Sequence, residues 1–370
     1  MSVKPLFLLT AVLMTAVFSS QSNAASEVIA KINAPYPDLS GIAVNQQNRI
    51  FLGFPRHSGD HQSPALMELK QGKLTPYPNK AFGLPQKNLA DWLVSPHGLF
   101  VDKNDTLWVL DDGKIQGQST IPVGAAKVVA IDTKTNSILK TIVITPPVLN
   151  SSSHYNDLRV DLSHGKAGTI YIANSGFAQR YSLIVIDVAS GKQREVLINH
   201  PSTSPDPGFM AFIENKPVVF NADNPQLPQG GIDGVALSPD QSKFYWTALS
   251  GRKLFSLPTA QLSDFSVSET ALEKAVHFEG EHPANDGMAE DEKGNLYFGA
   301  FEQQSLVKRD PKGQFSLLDH NVHDFGWPDG LAYRNGYLYT TLGQWNRTPD
   351  LNNNHDLRQR PFLVVRTATE

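Results

Sequence analysis

The chain has 370 residues, of which 40% are hydrophobic and 18% are charged, a balance typical of a folded globular protein. The formal net charge of -4 argues against the basic surface that binds nucleic acid. Because the chain contains no cysteine, disulfides, a thiol nucleophile and cysteine-ligated metal sites are excluded, and packing and hydrogen bonds must stabilise the fold.

The first segment, residues 1–24, has the pattern of a signal peptide. Lys4 supplies the positive charge, residues 6–18 form an apolar stretch, and small residues lead up to Ala24. This stretch is too short to span a bilayer, and no later segment is apolar enough to do so. We therefore expect cleavage after Ala24, a secreted or periplasmic protein without a membrane span, and a single domain over residues 25–370.

Six copies of one pattern follow along the chain. Each copy has a small or polar residue, a glycine, an alternating apolar run, a turn, and a second apolar or aromatic run. The copies open at Ser40, His97, Asn156, Asp233, Asp286 and Asp329. The third copy has Asp157 in place of the glycine. Turn residues such as Asn335-Gly336 indicate that each copy forms a β-hairpin.

Most hairpins are followed by two further strand-like runs, which gives four antiparallel strands in each unit. Six such units predict an all-β fold, a six-bladed β-propeller. Residues 200–230, rich in proline and glycine, are expected to form an insertion on one face of the disk. The last unit has only two evident strands, so the terminal runs 27–32 and 361–367 are expected to complete it and close the ring.

The residue that opens each copy is predicted to lie at the mouth of the central channel, because the first strand of a propeller blade lines the axis. The glycine after it allows a close backbone approach at the crowded centre. The six opening residues would thus form one polar ring with three carboxyl groups. Such convergence favours a binding site, although Asp or Asn before glycine can also cap its own backbone.

The second strand of each hairpin ends on the same face, and the loops after it bring further side chains to the mouth. These loops carry Arg56 and His57, Asp111 and Asp112, Asn174 and Ser175, and Gln344 with Trp345. Arg56, Asn174 and Trp345 are predicted to contact a ligand, and Arg56 to pair with the acidic ring or an anionic group. The loop from His57 to His61 carries two histidines, but without further ligands this indicates a solvated segment and not a metal site.

Several of these segments resemble the major royal jelly/Yellow protein family. They are Phe54-Pro55-Arg56, Leu107 to Asp111, Asn156-Asp157-Leu158, Asp233 to Ser238 with Leu249 to Thr259, and Trp327-Pro328-Asp329. The resemblance implies a secreted six-bladed propeller. Some members of the family bind small aromatic amines at the channel mouth, and others are linked to conversion of dopachrome. Since animal members commonly carry disulfides, this chain is most similar to the bacterial branch.

A more distant resemblance is to the senescence-marker/gluconolactonase propellers. Those proteins hold a divalent cation such as Ca²⁺ with Asn and Asp residues at the starts of inner strands and a Glu in the first blade. Asn156, Asp233 and Asp286 match the Asn and Asp positions and would be the metal ligands. Ser40 stands in place of the Glu, which argues against a lactonase-type metal site.

The sequence leaves three functions open. The favoured hypothesis is an exported monomer that binds a small aromatic or cationic ligand at the channel mouth. Its ligand-binding residues would be His97, Asn156, Asp233, Asp286, Asp329, Arg56, Asn174 and Trp345. The first alternative is a metal-assisted lactonase-type hydrolase with His97 as the catalytic proton carrier. The second, implied by the resemblance, is a dopachrome-type tautomerase or isomerase in which His97 and a carboxyl group move a proton without a metal.

Overall fold

The computed structural model describes residues 25–57, 59–177, 179–220, 223 and 225–370. The expected signal peptide lies outside these residues. Six four-stranded antiparallel sheets are arranged so that the first strand of each sheet contacts the first strand of the next, around a central channel. The predicted six-bladed β-propeller is therefore confirmed.

The strands follow the chain from the inside of each blade to its rim. The first strand, β1 (Glu27–Ile32), belongs to the last blade. Blade 1 contains β2 (Ile42–Val44), β3 (Ile50–Gly53), β4 (Leu66–Lys70) and β5 (Lys73–Pro76). Blade 2 contains β6 (Pro96–Val101), β7 (Thr106–Asp111), β8 (Lys127–Asp132) and β9 (Ser137–Val143). Blade 3 contains β10 (Tyr155–Asp161), β11 (Thr169–Asn174), β12 (Ser182–Asp187) and β13 (Gln193–Val196).

A two-stranded hairpin separates the two halves of the propeller. It consists of β14 (Phe212–Ile213) and β15 (Lys216–Pro217). Blade 4 contains β16 (Ile232–Leu237), β17 (Lys243–Ala248), β18 (Lys253–Pro258) and β19 (His277–Glu281). Blade 5 contains β20 (Met288–Glu290), β21 (Leu296–Ala300), β22 (Ser305–Arg309) and β23 (Phe315–His320). Blade 6 contains β24 (Trp327–Arg334), β25 (Tyr337–Gly343) and β26 (Phe362–Ala368), and β1 is its outer strand.

Helices are few and short. The α-helices α1 (Thr259–Ser263) and α2 (Glu269–Ala275) lie between β18 and β19, and single 3₁₀ turns occupy Ala81–Gly83, Leu89–Asp91, Trp345–Arg347 and Pro349–Leu351. No helix within the described part of the chain is long and apolar enough to cross a bilayer.

The hydrophobic core lies between neighbouring blades. Every residue of β11 is buried, whereas most of the outer strand β9 is exposed or half-buried. Aromatic rings fill the wedge between blades 3 and 4, where Tyr171 packs against Phe244 and Phe244 stacks on Trp246. Such wedges fix the blades against one another because each buries the faces of two sheets.

A β-bulge marks the start of the inner strand in blades 2, 3, 4 and 6. In blade 2 the pairing jumps from Pro96 with Asp111 to Leu99 with Val109, which leaves His97 and Gly98 outside the regular ladder. A bulge redirects the side chain that it carries. This local irregularity therefore directs His97, the opening residue of its copy, towards the channel mouth.

The glycine after each opening residue is needed for contact between blades. A Cβ on Gly41 would lie 2.0 Å from the carbonyl oxygen of His97 in the next blade, and one on Gly287 would lie 2.1 Å from that of Asp329. Gly98, Gly234 and Gly330 face the carbonyl of the next opening residue in the same way. The predicted close approach at the centre is confirmed.

Candidate functional site

A cavity of about 210 Å³ opens at the channel mouth, and we call it the mouth cavity. Its polar lining comprises His57, His97, His154, Asn156, Asp233, Asp286, Asp329 and Thr348. Its apolar lining comprises Phe177, Val218, Phe220, Pro228, Leu249, Trp327, Trp345 and Leu351. Val218, Phe220 and Pro228 belong to the segment between blades 3 and 4, so this segment covers part of the opening. The mouth cavity thus combines apolar walls with converging polar groups, as small-molecule sites do.

A larger cavity of about 450 Å³ lies at the other end of the channel, where the inner strands end. Arg159 donates to Glu290 there at 2.9 Å and to the carbonyl of Met288 at 2.8 Å, so its charge is already paired. This cavity has no comparable group of buried carboxyl and imidazole side chains among its lining residues. We therefore place the candidate site at the mouth cavity.

Three carboxyl groups from blades 4, 5 and 6 form the acidic half of the mouth cavity, defined as Asp233, Asp286 and Asp329. Two indole groups hold two of them in place: Trp327 Nε1 donates to Asp286 Oδ2 at 2.6 Å, and Trp345 Nε1 donates to Asp329 Oδ2 at 2.6 Å. These aromatic rings therefore serve both as cavity wall and as hydrogen-bond donors.

Asn156 joins the acidic half from blade 3. Its Nδ2 donates to Asp233 Oδ2 at 2.6 Å, and the Ser175 hydroxyl donates to the same oxygen at 3.1 Å. The second oxygen of Asp233, Oδ1, is buried and receives no hydrogen bond from an N–H or hydroxyl group. A buried acceptor without a donor is uncommon, and it marks a place where a ligand group or a proton can be held.

The acidic half favours bound protons. Burial raises the pKa of Asp286 to about 6. Burial, and then repulsion by the charge of Asp286, raise the pKa of Asp233 and of Asp329 well above the ordinary carboxyl range. Three carboxyl groups this close cannot all ionise at neutral pH unless a cation joins them. The acidic half can therefore store protons or exchange them for a positively charged ligand.

Imidazoles occupy the opposite half. His57, His97 and His154, together with Asp112 behind them, form the histidine half of the site. The ring centroids of His97 and His154 lie 5.1 Å apart, and that of His57 lies 4.7 Å from His97. Asp112 Oδ2 lies 2.7 Å from His57 Nδ1 and 3.7 Å from His154 Nδ1. Three blades contribute to this half, so the propeller itself brings the residues together.

Burial lowers the pKa of two imidazoles in the histidine half. Burial, and then the neighbouring His57, lower the pKa of His97 to about 3, and burial lowers the pKa of His154 well below its usual value. Burial alone would raise the pKa of Asp112, but the attraction of His57 holds it below the ordinary carboxyl value. The neutral imidazoles of His97 and His154 therefore offer lone pairs to the cavity.

Two residues that we expected to contact a ligand do not line the mouth cavity. Arg56 is buried beneath it, and its guanidinium donates to the backbone carbonyls of His61, Leu93, Val94, Ser63 and Gly83. Asn174 is buried as well; its Oδ1 accepts from the backbone N–H of His154, and its Nδ2 donates to Ser182. Both side chains satisfy backbone or neighbouring groups instead of facing the ring.

The other expected residues converge as the repeat implies. His97, Asn156, Asp233, Asp286, Asp329 and Trp345 all line the mouth cavity. Ser40 lies beside them, and its hydroxyl donates to Asp329 Oδ1 at 3.4 Å. His97 has a pKa near 3, so its imidazole is a weak base at neutral pH and an inefficient proton carrier.

The interpretation of the His57 loop as a merely solvated segment was wrong. His57 is only 16% exposed in its side chain and lies against Asp112 of blade 2. His154 was missed altogether, although it stands two residues before the opening residue Asn156. The residues of the histidine half come from three repeats, and each blade supplies only one or two of them. No single stretch of sequence therefore shows the cluster.

The acidic half does not fit the calcium site that the gluconolactonase-type propellers imply. Calcium takes about six to eight oxygen ligands. Here the indole and amide donors already occupy one oxygen of each carboxyl group, and Ser40, which stands in place of the Glu, bonds Asp329. The free oxygen Asp233 Oδ1 is a single donor atom. The acidic half therefore lacks the open set of oxygen ligands that a calcium ion needs.

Comparison with known sequences identifies one family. The sequence model of the family "Major royal jelly protein" matches residues 94–368. Major royal jelly protein 1 of Apis mellifera is 25% identical over 280 residues, which cover 70% of this chain and 59% of that protein. Major royal jelly protein 2 of the same species is 27% identical over 226 residues, which cover 58% of this chain and 46% of that protein. The chain thus spans about half the length of these curated relatives.

Comparison with solved structures shows the same architecture. A calcium-binding protein, regucalcin, from Agrobacterium tumefaciens superposes with a TM-score of 0.53 at 12% identity, covering 94% of this chain and 96% of that one. A gluconolactonase from Xanthomonas campestris gives a TM-score of 0.53 at 12% identity, covering 94% and 90%. At such low identity the likeness establishes the fold alone.

Proposed function

The chain belongs to the major royal jelly protein family, and from that membership we propose that it binds a small aromatic or cationic molecule in the mouth cavity after export from the cell. The observation that carries the proposal is the acidic half set into apolar walls. A cavity of about 210 Å³ suits a compact ligand, such as one ring with a short side chain.

The apolar walls would hold the ring of such a ligand. Phe177 is 41% exposed and lies at the rim, where its ring contacts that of His154 at 5.0 Å. Trp345 and Trp327 present indole faces whose N–H groups are already bonded to carboxyl groups. An aromatic ligand would therefore find faces to stack on, without leaving a wall donor unpaired.

The acidic half would hold a positive charge. When a cationic group of the ligand enters the acidic half, it replaces one or more of the protons that the carboxyl groups share. The cationic group then donates charge-assisted hydrogen bonds to the carboxylate oxygens. Asp233 Oδ1, which receives no hydrogen bond from an N–H or hydroxyl group, can accept this bond once the carboxyl group of Asp233 has lost its proton. Cation binding should therefore release protons and strengthen as pH rises through about 6, the pKa of Asp286.

Calorimetry with matched ligands tests this function. Primary aromatic amines, catechols and neutral aromatic alcohols of equal size would be titrated into the protein at pH 5 and pH 7.5. We expect amines to bind more tightly than their neutral counterparts, and Asp286→Asn to weaken amine binding about tenfold or more. Asp310→Asn, which removes a charge from an exposed turn, is the control and should leave the affinity unchanged. Absence of binding by all three classes, or equal affinity for amine and alcohol, would contradict the proposal.

A second candidate function is proton-transfer catalysis, and the pKa of Asp286 near 6 favours it. A hydrogen bond between Asp286 and Asp233 lowers the pKa of Asp286 and raises that of Asp233, so the pair can give and take a proton near neutral pH. This assigns the proton to the carboxyl pair and not to His97. An isomerisation assay with a dopachrome-type substrate should then lose its rate in Asp286→Asn. Wild-type protein without turnover would remove this candidate.

The export part of the proposal rests on residues 1–24 and on the family. It predicts that the chain recovered from the periplasm or medium of expressing cells begins at Ala25. Sequencing of the N-terminus of the recovered protein measures this directly. A chain that stays in the cytoplasm with residues 1–24 intact would contradict export and leave ligand binding untouched.

A further inference from the structure

We propose that His57, His97, His154 and Asp112 bind a divalent transition-metal ion of the zinc class. This inference goes beyond the proposed function, because it concerns the histidine half and not the carboxyl groups that would hold an organic cation. It also differs from the calcium position of the gluconolactonase-type propellers, which would fall on Asn156 and the acidic half.

The first support is the distance between donor atoms. One ligand atom from each of the four residues can be chosen so that all four lie within 4.8 Å of one another. In a tetrahedral zinc site with bonds of about 2.0–2.1 Å, neighbouring donor atoms lie about 3.3 Å apart. Asp112 Oδ2 already lies 2.7 Å from one imidazole nitrogen and 3.7 Å from another. Small side-chain rotations would therefore close the site around an ion.

The second support is a buried imidazole nitrogen that lacks a partner. His97 Nδ1 is buried and has no hydrogen-bond partner among the described residues. The exposed fraction of His97 is 6%. Buried polar atoms are rarely left in this state, because each loses its water without compensation. A metal ion among the four residues would give His97 Nδ1 a partner.

The third support is the way neighbouring groups hold the ligands. Ser95 Oγ lies 3.3 Å from His57 Nδ1 and accepts from the backbone N–H of His57 at 3.2 Å. The other oxygen of Asp112 accepts from the backbone N–H of Lys114 at 2.8 Å. Metal-binding imidazoles and carboxylates are usually oriented by such outer contacts. The cluster is thus supported on the sides that face away from the proposed ion.

The types of donor atom in the cluster determine which class of metal ion it would bind. Three imidazole nitrogens and one carboxylate oxygen suit zinc, cobalt, nickel or copper, whereas calcium and magnesium prefer oxygen donors only. His57, His97 and His154 line the mouth cavity, while Asp112 lies behind them. An ion held there would border the cavity, where water or an oxygen or nitrogen atom of a bound molecule can reach it.

Metal analysis of purified protein tests the proposal. The full chain would carry a tag without histidine, be stripped with EDTA, be incubated with Zn²⁺ and be dialysed without chelator. We expect about one zinc ion per chain in the wild type. His154→Ala and Asp112→Asn should each retain less than about a tenth of that. His164→Ala is the matched control: it removes a histidine that also contacts an aspartate, Asp161, outside the cluster, and it should retain the full amount.

Two further measurements separate the possible outcomes. Thermal melts establish that each variant is folded, and zinc should raise the melting temperature of the wild type and of His164→Ala only. Co²⁺ bound to wild-type protein should give visible absorption bands that Asp112→Asn lacks.

Wild-type protein without zinc, or a folded His154→Ala variant with a full zinc ion, would overturn the proposal. The proposal would also be overturned if Asp286→Asn lost its zinc while His154→Ala kept it, because the ion would then lie in the acidic half. If Asp286→Asn loses amine binding but keeps its zinc, the result supports each of the two proposals. If the wild type binds zinc but no amine, only the proposed function is overturned.

Discussion

Arg56 is a buried cation whose partners are mostly backbone carbonyls. Its side chain is 1% exposed, and the guanidinium lies 5.1 Å from the ring of Trp92. The carbonyl groups that it bonds come from the loops under blades 1 and 2. Arg56 therefore connects the loop that carries His57 to the segment that leads into the strand of His97.

Removal of this cation should destabilise the protein strongly. We expect Arg56→Met to lower the free energy of unfolding by about 3–5 kcal/mol, because buried carbonyl groups lose their donors. Arg252→Met is the matched control: it removes an arginine that pairs with Glu302 and is 43% exposed, and it should change stability by less than about 1 kcal/mol. Urea unfolding measures both. Equal midpoints for the two variants would contradict the structural role of Arg56.

Asp157 provides a pH-dependent prediction. Burial, and then the charges of Asp286 and Glu290, raise its pKa to about 7 despite the attraction of Arg159. The folded protein therefore binds a proton that the unfolded chain releases near pH 4. The stability from this proton is fully present below about pH 4 and is lost as pH rises through about 7.

Asp157→Asn should abolish the loss of stability at high pH, because an amide does not become charged when the pH rises. At pH 8 we expect the variant to be more stable than wild type by an amount on the order of a few kcal/mol, and at pH 4 nearly as stable as wild type. Urea unfolding at both pH values measures the difference. A variant whose advantage is the same at pH 4 and pH 8 would show that Asp157 does not titrate in this range.

Six of the eight expected ligand-binding residues line the mouth cavity, because position in a repeat determines position around the axis. The sequence could not predict that the side chains of Arg56 and Asn174 lie away from the mouth cavity. Their direction depends on which way the loop after a strand turns. His154 was hidden for a different reason: it precedes the repeat pattern, and only the fold places it beside His57. Residue types and spacing within one repeat carry no information about contacts between repeats.

At the scale of the strand, the glycine after each opening residue sets how closely the blades pack. Gly41 and Gly287 have the shortest separations from the facing carbonyl among the five such glycines, at 2.0 and 2.1 Å from a Cβ position. Each facing carbonyl belongs to the inner strand of the next blade, so moving it away would disturb the packing of that blade. The ring of inner strands therefore needs glycine at these positions.

We expect Gly41→Ala and Gly287→Ala each to lower the free energy of unfolding by more than about 2 kcal/mol. Gly326→Ala is the matched control, because a Cβ there would meet its nearest atom only at 3.8 Å. Thermal or urea unfolding gives the comparison. A Gly287→Ala variant as stable as Gly326→Ala would show that neighbouring blades can move apart at the channel.

The hairpins and their turns could be predicted because they are local: alternating apolar residues and turn residues lie within one short stretch. The bulges at the strand starts could not, since a bulge depends on the register between two strands and leaves no fixed residue type. The segment at 200–230 was recognisable as a departure from the repeat. Its contact with the mouth cavity through Val218, Phe220 and Pro228 follows only from the folded structure.

At the scale of the whole molecule, blade 6 joins the two ends of the described chain. Strand β1 pairs antiparallel with β26, with Glu27 opposite Arg366 and Ile32 opposite Phe362. The side chains of Glu27 and Arg366 form an ion pair at 2.5 Å. Without β1, the backbone groups of β26 on that side would face solvent as an open sheet edge.

Deletion of residues 25–33 should therefore lower the melting temperature and promote self-association through β26. Thermal melts and size-exclusion chromatography at several protein concentrations measure the two effects. The charge change Glu27→Gln keeps the strand and serves as the control, with at most about 1 kcal/mol lost from an exposed pair. A truncated protein that melts like the wild type would show that blade 6 is stable with three strands.

The pairing of β1 with β26 also has a mechanical consequence. Glu27 and Arg366 lie at the same end of this antiparallel pair. Tension applied between the two ends of the chain would therefore load the hydrogen bonds one after another, as in opening a zipper, and would not shear them all together. Blade 6 should yield at low force, and the other five blades would come under load only after it has opened.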